Sequence, residues 1–148
     1  MENARRRIYV ASSWRCRLQP WVVSTLRRLG HEVYDFRSPA PGESGFGWKQ
    51  CDPEPLPWTG RRLLEVLSHP VAQKGYAYDI GALRSCDTCV LVLPCGRSAH
   101  WELGWAMGQG KRGYVVMFEP DEPELMYSEA TILAGADELI ATFGPESG

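Results

Sequence analysis

The stretch that decides the fold runs Cys89-Val90-Leu91-Val92-Leu93, five apolar residues in succession. An unbroken apolar run is typical of a strand covered on both faces, whereas a strand with one solvated face alternates apolar and polar residues. Three further runs have the same character: Ile8 to Ala11, Val33 to Phe36 and Tyr114 to Phe118. Together the four runs predict a parallel sheet.

Helical patterns separate these runs. The first helix has Pro20 in its first turn, where proline is tolerated, and Gly30 as its C-terminal stop. The second is predicted over Val71 to Arg84. Its inner face is expected to carry Ala72, Tyr76, Ile80 and Leu83.

Two more helices follow the third strand. Ser98 is expected to cap one of them, and Gly110 is expected to end it. The last helix is expected near Ala136 to Phe143. Strands that alternate with helices in this way predict a three-layer α/β sandwich with a mainly parallel, flavodoxin- or Rossmann-like sheet.

Length and charge exclude several classes of protein. The 148 residues, 44% of them hydrophobic, predict one domain over 1–148. A net charge of −2 and a short, terminal run Arg5-Arg6-Arg7 argue against a nucleic-acid binder. No window approaches the roughly 20 apolar residues of a membrane span, and no apolar signal region follows the N-terminal charges. We therefore expect a cytoplasmic protein with no membrane partner.

The cysteine pattern favours neither disulfides nor a metal. The five cysteines are an odd number, and Cys86 and Cys89 have redox-motif spacing although Cys89 opens an apolar strand. No second Cys-x-x-Cys or nearby histidine pair completes a zinc site. The Gly-rich fingerprints of dinucleotide and P-loop proteins are also absent from the sequence. We expect buried cysteines, no metal and no cofactor.

A long segment from Ser38 to Thr59 does not belong to a minimal sheet. It is rich in proline and glycine, yet it carries Phe46, Trp48 and Trp58, which a spacer would not need. Two interpretations stay open at this point: a lid over a binding site, or an Ω-loop packed on its own side chains.

Acidic residues suggest where chemistry takes place. Asp79 shares the helix face that packs on the sheet, and Glu102 lies in the helix after the third strand. Repulsion and desolvation could separate their pKa values and leave one anion and one neutral acid, as a retaining glycosyl transfer requires. Singly, the acids also have structural explanations: Asp79 could accept a hydrogen bond from a tyrosine, Asp87 could cap a strand entry, and Glu102 could be solvated. Together they predict a site beside Ser12, Ser13, Trp14 and Arg15.

Three parts of the sequence carry a family resemblance. These are residues 8–15 (IYVASSWR), Asp79 and Asp87 eight positions apart, and residues 98–111 (SAHWELGWAMGQGK). They resemble the nucleoside 2-deoxyribosyltransferase family, including the related deoxynucleoside 5'-monophosphate N-hydrolases. The resemblance spans most of the chain and is strongest from Tyr78 to Lys111.

The resemblance implies a role for each catalytic position. Glu102 is implied as the nucleophile that attacks the anomeric carbon, and Asp79 as the acid that protonates the departing base. Tyr9 is implied to reach the glutamate with its hydroxyl, and Asp87 to be a second aspartate of the site. Trp14 matches a side chain that lies against the base.

The resemblance also implies binding partners. Members assemble as homodimers or larger homo-oligomers in which a neighbour closes the pocket, which implicates Glu124 to Tyr127 and especially Met126. Arg15 resembles a phosphate-binding arginine of the hydrolases, whereas Gly96 replaces their serine six residues before the nucleophile. Arg97 and Ser98 could take over phosphate binding at the helix N-terminus. Phe46 and Trp48 complete the expected substrate-binding residues.

We therefore expect cleavage of the N-glycosidic bond of a (deoxy)nucleoside or its 5'-monophosphate through Glu102. Transfer to a second base and hydrolysis to free base and sugar are both open. A hypothesis of another class is a nucleotide-sensing module without turnover, in which Ser38 to Thr59 acts as a switch.

Overall fold

The computed structural model describes residues 4–54 and 56–145, and this part of the chain contains one five-stranded, wholly parallel sheet. The spatial order is β2-β1-β3-β4-β5, the order of flavodoxin-like folds. The strands are β1 Arg7–Ala11, β2 Glu32–Asp35, β3 Thr88–Val92, β4 Arg112–Val116 and β5 Thr131–Leu133. The α/β prediction with a parallel sheet is confirmed.

Helices connect the strands and form the two outer layers. They are α1 Gln19–Arg28, α2 Gly60–Leu67, α3 Pro70–Ser85, α4 Arg97–Gly108 and α5 Ala136–Phe143, with short 3-10 helices at Trp48–Gln50 and Leu125–Glu129. The proline in the first turn of α1 is confirmed, and Gly30 after it has φ +99°, a backbone conformation that favours glycine.

The sheet is buried on both faces, which explains why its strands lack alternation. Ile8 and Val10 of β1 pack in a core with side chains of α1 and α5. Tyr9 and Ala11 point the other way and pack with side chains of α3 and α4. The helices that carry Asp79 and Glu102 therefore lie on the same face of the sheet.

Two local predictions are wrong. Gly96, whose backbone is extended, is the cap of α4, so Ser98 already lies inside the first turn. Tyr76 is 64% exposed although it was expected on the inner face of α3. The reason is that α3 contacts the core beneath the sheet through its C-terminal half, where Ile80 and Leu83 lie.

Two short elements were not predicted from the sequence. Helix α2 buries one side chain, Val66, and leaves its three leucines exposed. Strand β5 has three residues, and two of them are exposed because it lies at the edge of the sheet. The apolar face of α2 extends over only eight residues and β5 over only three, and prediction from periodicity depends on longer segments.

The segment from Ser38 to Thr59 packs on its own aromatic side chains, as the Ω-loop alternative requires. Trp48 lies edge-on to Phe46 at 4.9 Å and to Trp58 at 5.6 Å between ring centroids. Asp52, a buried carboxylate, pairs with Arg62 of α2 at 2.6 Å. The segment is thus attached to the helical layer.

In the described residues no helix is long and apolar enough to cross a membrane. All five cysteines are free thiols, with Cys16, Cys86 and Cys89 buried.

Gly45 should be sensitive to substitution because the loop passes so close to the sheet. A Cβ at this position would clash with the Phe36 carbonyl oxygen and with Cζ2 of Trp14. We expect Gly45→Ala to lower the free energy of unfolding by about 1–3 kcal/mol, as overpacking does. Gly47→Ala is the matched control, because a Cβ there meets nothing within 4 Å. Equal urea midpoints for the two variants would contradict this packing.

Candidate active site

A cavity of about 600 Å³ opens at the carboxyl edge of the sheet, where the chain leaves β1 and β3. The chain passes from β1 to β2 on one side and later to β3 on the other, so the loops diverge there. Ligands of open α/β folds bind at such a switch point. The cavity is lined by eleven of the expected site residues: Ser12, Ser13, Trp14, Arg15, Phe46, Trp48, Asp79, Gly96, Arg97, Ser98 and Glu102.

Glu102 lies in α4 and faces the cavity. The hydroxyl of Tyr9, a buried residue of β1, donates a hydrogen bond to Oε2 of Glu102. Burial raises the pKa of Glu102 to about 7. A helix N-terminus would favour the anion by only about 0.3–1 kcal/mol, so desolvation outweighs the dipole. Near neutral pH the group therefore takes both ionisation states.

Asp79 lies in α3 and lines the same cavity. The hydroxyl of Tyr34 donates a hydrogen bond to Oδ1 of Asp79 at 2.7 Å. A hydrogen bond from a tyrosine was the structural explanation that the sequence left open for this aspartate. Burial raises the pKa of Asp79, and the hydrogen bond from Tyr34 opposes part of that rise. Burial, rather than repulsion between the two acids, is thus the cause of both shifts, which corrects the expected role of like charge.

Tyr34 is a site residue that the sequence analysis missed. It lies directly opposite Tyr9 in the β1–β2 register, and the two rings stack at 5.1 Å with an interplanar angle of 20°. Side chains opposite each other in paired strands share a face of the sheet. One signal in the sequence could have identified it: tyrosine is the second residue of both predicted strands, Ile8 to Ala11 and Val33 to Phe36.

Trp14 forms a wall of the cavity and is held from several sides. Its Nε1 donates to the Phe46 carbonyl at 3.2 Å, and its ring meets Phe36 edge-on at 5.3 Å. Arg37 lies 5.4 Å from the ring centroid and donates through Nη2 to the Ser13, Trp14 and Cys16 carbonyls. Arg37 had no signal in the sequence, because its partners are backbone atoms of another loop.

The rim of the cavity is polar and partly cationic. Arg15, Arg97 and Ser98 lie there, with Arg97 and Ser98 in the first turn of α4. Ser12 donates through Oγ to the Val92 carbonyl at 2.9 Å and so joins the ends of β1 and β3. Lys74 pairs with Glu43 at 2.8 Å across the opposite rim.

Three expected site residues do not line this cavity. Tyr9 is buried in β1 and reaches the site only through its hydrogen bond to Glu102. Asp87 precedes β3 and therefore lies at the amino edge of the sheet, where it accepts hydrogen bonds from the Arg7 amide and the Thr88 hydroxyl. The prediction that Asp87 belongs to the catalytic residues of this cavity is therefore wrong. Its contacts are those of a residue that caps the entry to a strand. Met126 is 67% exposed in the 3-10 helix Leu125–Glu129. Its expected role concerns a neighbouring chain and stays a prediction.

Within the described ranges 4–54 and 56–145, no cluster of histidine, cysteine, aspartate and glutamate could hold a metal ion. The cavity itself offers the carboxyl groups of Glu102 and Asp79 and the two tyrosine hydroxyls hydrogen-bonded to them.

The raised pKa of Glu102 predicts a pH-dependent effect on stability. The pKa is about 7 in the folded protein against an ordinary 4.5, so proton uptake by Glu102 supports folding at low pH, and this support is lost as pH rises through 7. Glu102→Gln cannot ionise, so we expect its stability relative to the wild type to increase by about 2–3 kcal/mol between pH 5 and pH 8. Urea unfolding at both pH values measures this difference.

Glu119→Gln, in the exposed loop after β4, is the matched control and should change stability little at either pH. A Glu102→Gln effect of the same size at pH 5 and pH 8 would contradict a desolvated carboxyl group at this position.

Comparison with known proteins identifies a likeness of fold. No known family and no curated protein sequence matches the chain. Among solved structures, the chain is similar to a 2-deoxyribosyltransferase from the psychrotolerant bacterium Bacillus psychrosaccharolyticus, with a TM-score of 0.55 and 19% sequence identity. The match covers 95% of this chain and 98% of that chain. The protein thus has the fold of that 2-deoxyribosyltransferase over nearly its whole length.

Proposed function

We propose that the protein cleaves the N-glycosidic bond of a (deoxy)nucleoside or its 5'-monophosphate, as a nucleoside 2-deoxyribosyltransferase-like enzyme. One observation carries the proposal: two partly buried carboxyl groups, Glu102 and Asp79, line one cavity, and each accepts a hydrogen bond from a tyrosine, Tyr9 of β1 and Tyr34 of β2 respectively. Retaining glycosyl transfer needs such a pair, one group as nucleophile and the other as acid. The shared fold with a 2-deoxyribosyltransferase supports the same chemistry.

In the first step, the Glu102 carboxylate attacks the anomeric carbon of the sugar. A C–O bond forms as the C–N bond breaks, and the electron pair of that bond leaves with the base. Asp79 gives its proton to the base, so the base departs neutral. The raised pKa of Asp79 keeps this proton available closer to neutral pH, and the Tyr9 hydroxyl stabilises the Glu102 anion before attack.

In the second step, an acceptor replaces Glu102 at the anomeric carbon. Asp79, now a carboxylate, takes a proton from the acceptor as the bond to Glu102 breaks. A second base as acceptor gives transfer, and water gives hydrolysis. The aromatic walls formed by Trp14, Phe46 and Trp48 suit a flat base in either case.

Hydrolysis of a 5'-monophosphate is the second candidate, and the cationic rim favours it. Arg15 and Arg97 supply two guanidinium groups beside Ser98, and the first turn of α4 supplies backbone amides. A phosphate bound there would lie on the cavity side that carries Glu102.

The products distinguish these reactions. The protein is incubated with deoxynucleosides and their 5'-monophosphates, with and without a second free base, and the mixture is separated by chromatography. We expect a new nucleoside from a transferase, and free base with sugar or sugar phosphate from a hydrolase. Tight binding with no product would instead identify a nucleotide-sensing module and overturn the enzymatic proposal.

Glu102→Gln in the same assay tests the nucleophile. We expect base release to fall by at least roughly a thousandfold, because no covalent glycosyl-enzyme can form, while Glu119→Gln should keep wild-type activity. Mass spectrometry on a slow substrate should find a sugar adduct on the peptide that contains Glu102. An unchanged rate in Glu102→Gln would end the proposed mechanism.

We also propose a homo-oligomer in which Met126 of a neighbouring chain closes the cavity. The support is exposed apolar surface: Trp101 on α4 is 80% exposed, and Leu125 and Met126 are exposed in the nearby 3-10 helix.

Substitution of this surface tests the assembly. We expect Trp101→Glu to shift the protein to a monomer in sedimentation and to raise KM, because a buried charge opposes association. Ile140→Glu, an exposed apolar position of α5 on the other face of the sheet, is the control. A wild-type protein that sediments as a monomer at assay concentration would contradict the assembly.

A further inference from the structure

We propose that Tyr34 is a positioning residue for the acid step: it holds Oδ1 of Asp79, so that Oδ2 carries the proton given to the leaving base. The inference deepens the proposed function and rests on it. It assigns a task in the reaction to a tyrosine that the sequence analysis did not include in the site.

The geometry behind this inference begins in the sheet. Tyr34 of β2 and Tyr9 of β1 are directly paired, and their rings stack on the face that carries α3 and α4. From this pair one hydroxyl reaches Glu102 of α4 and the other reaches Asp79 of α3. The stack therefore holds the two hydroxyls at a set spacing, and each hydroxyl serves a different carboxyl group.

The hydrogen bond assigns the two oxygens of Asp79 to different tasks. A tyrosine hydroxyl has one proton, and Tyr34 donates it to Oδ1 over 2.7 Å. Oδ1 is then the acceptor, as the carbonyl oxygen of a neutral carboxyl group is. Among the described residues no other group is hydrogen-bonded to the Asp79 side chain, so Oδ2 is left for the transferable proton.

The same bond should strengthen as the proton leaves. Before transfer, Tyr34 donates to a neutral carboxyl group; after transfer, it donates to a carboxylate, and a hydrogen bond to an ionised acceptor is roughly twice as strong. An interaction that grows along the reaction lowers the barrier rather than only binding the substrate. Tyr34 should therefore act on kcat more than on KM.

Other charged groups near Asp79 are already engaged or belong to the reaction. On β2, Asp35 accepts hydrogen bonds from Gln19 and from the Arg37 amide. On α3, Lys74 pairs with Glu43, and its ammonium lies 5.9 Å from the Tyr78 ring centroid. The remaining titratable or charged groups of the cavity and its floor are Tyr9, Arg15, Tyr78, Arg97 and Glu102. None of them donates to Asp79, so Tyr34 is the group whose removal should change its titration.

Tyr34→Phe in the full chain tests the inference by removing the hydroxyl alone. We expect kcat to fall about tenfold with KM within about twofold, which is the loss of one hydrogen bond to a charged group. Carboxyl-carbon NMR should find the Asp79 titration midpoint higher by about one pH unit, because the carboxylate has lost its donor. The alkaline limb of the pH–rate profile should shift to higher pH by the same amount. Tyr76→Phe, an exposed tyrosine of α3, is the control and should change none of these.

A double-mutant cycle separates positioning from packing. If Tyr34 acts through Asp79, Tyr34→Phe should slow the Asp79→Asn variant by less than twofold. Full additivity in this cycle, or an Asp79 midpoint that does not rise in Tyr34→Phe, overturns the inference even if the protein is an active enzyme. Failure of the proposed function is distinguishable, because the wild-type protein itself would then release no base.

Discussion

The removal of two carboxyl groups from water at one edge of a parallel sheet is the constraint on which the site depends. Burial raises the pKa of both Glu102 and Asp79, and each accepts a hydrogen bond from a tyrosine hydroxyl. The two donors come from paired positions of β1 and β2, so the strand register sets where both acids can be satisfied. A one-residue slip of β2 would turn Tyr34 to the other face of the sheet.

The rest of the cavity follows from how the loops are held against that edge. Arg37 ties the loop after β1 through three backbone carbonyls and lies beside the Trp14 ring. The loop from Ser38 to Thr59 covers the opposite side and is fastened by the Asp52–Arg62 pair. Such attachment gives a preformed aromatic wall, which lowers the entropy lost when a flat ligand binds.

The position of the two acids follows from the topology of the chain. The sheet is wholly parallel with its cavity at the switch point, and the acids reach that cavity from helices on one face of the sheet. Asp87 illustrates the limit of reasoning by motif. It is only eight residues from Asp79, yet α3 carries the chain from the carboxyl edge back to the amino edge between them.

The sequence by itself determined the α/β class, the principal strands and helices, and the segments that meet at the carboxyl edge. These features are readable because apolar runs and turn residues are local signals. Tertiary structure decided what depends on register and burial. Tyr34 and Arg37 belong to the site through partners far away in the chain, whereas Asp87 lies at the opposite edge of the sheet. Desolvation, without the expected repulsion between the two acids, raises the pKa of Glu102. Neither the distance between side chains of separate strands nor the water around a carboxyl group exists until the sheet and its helices have packed.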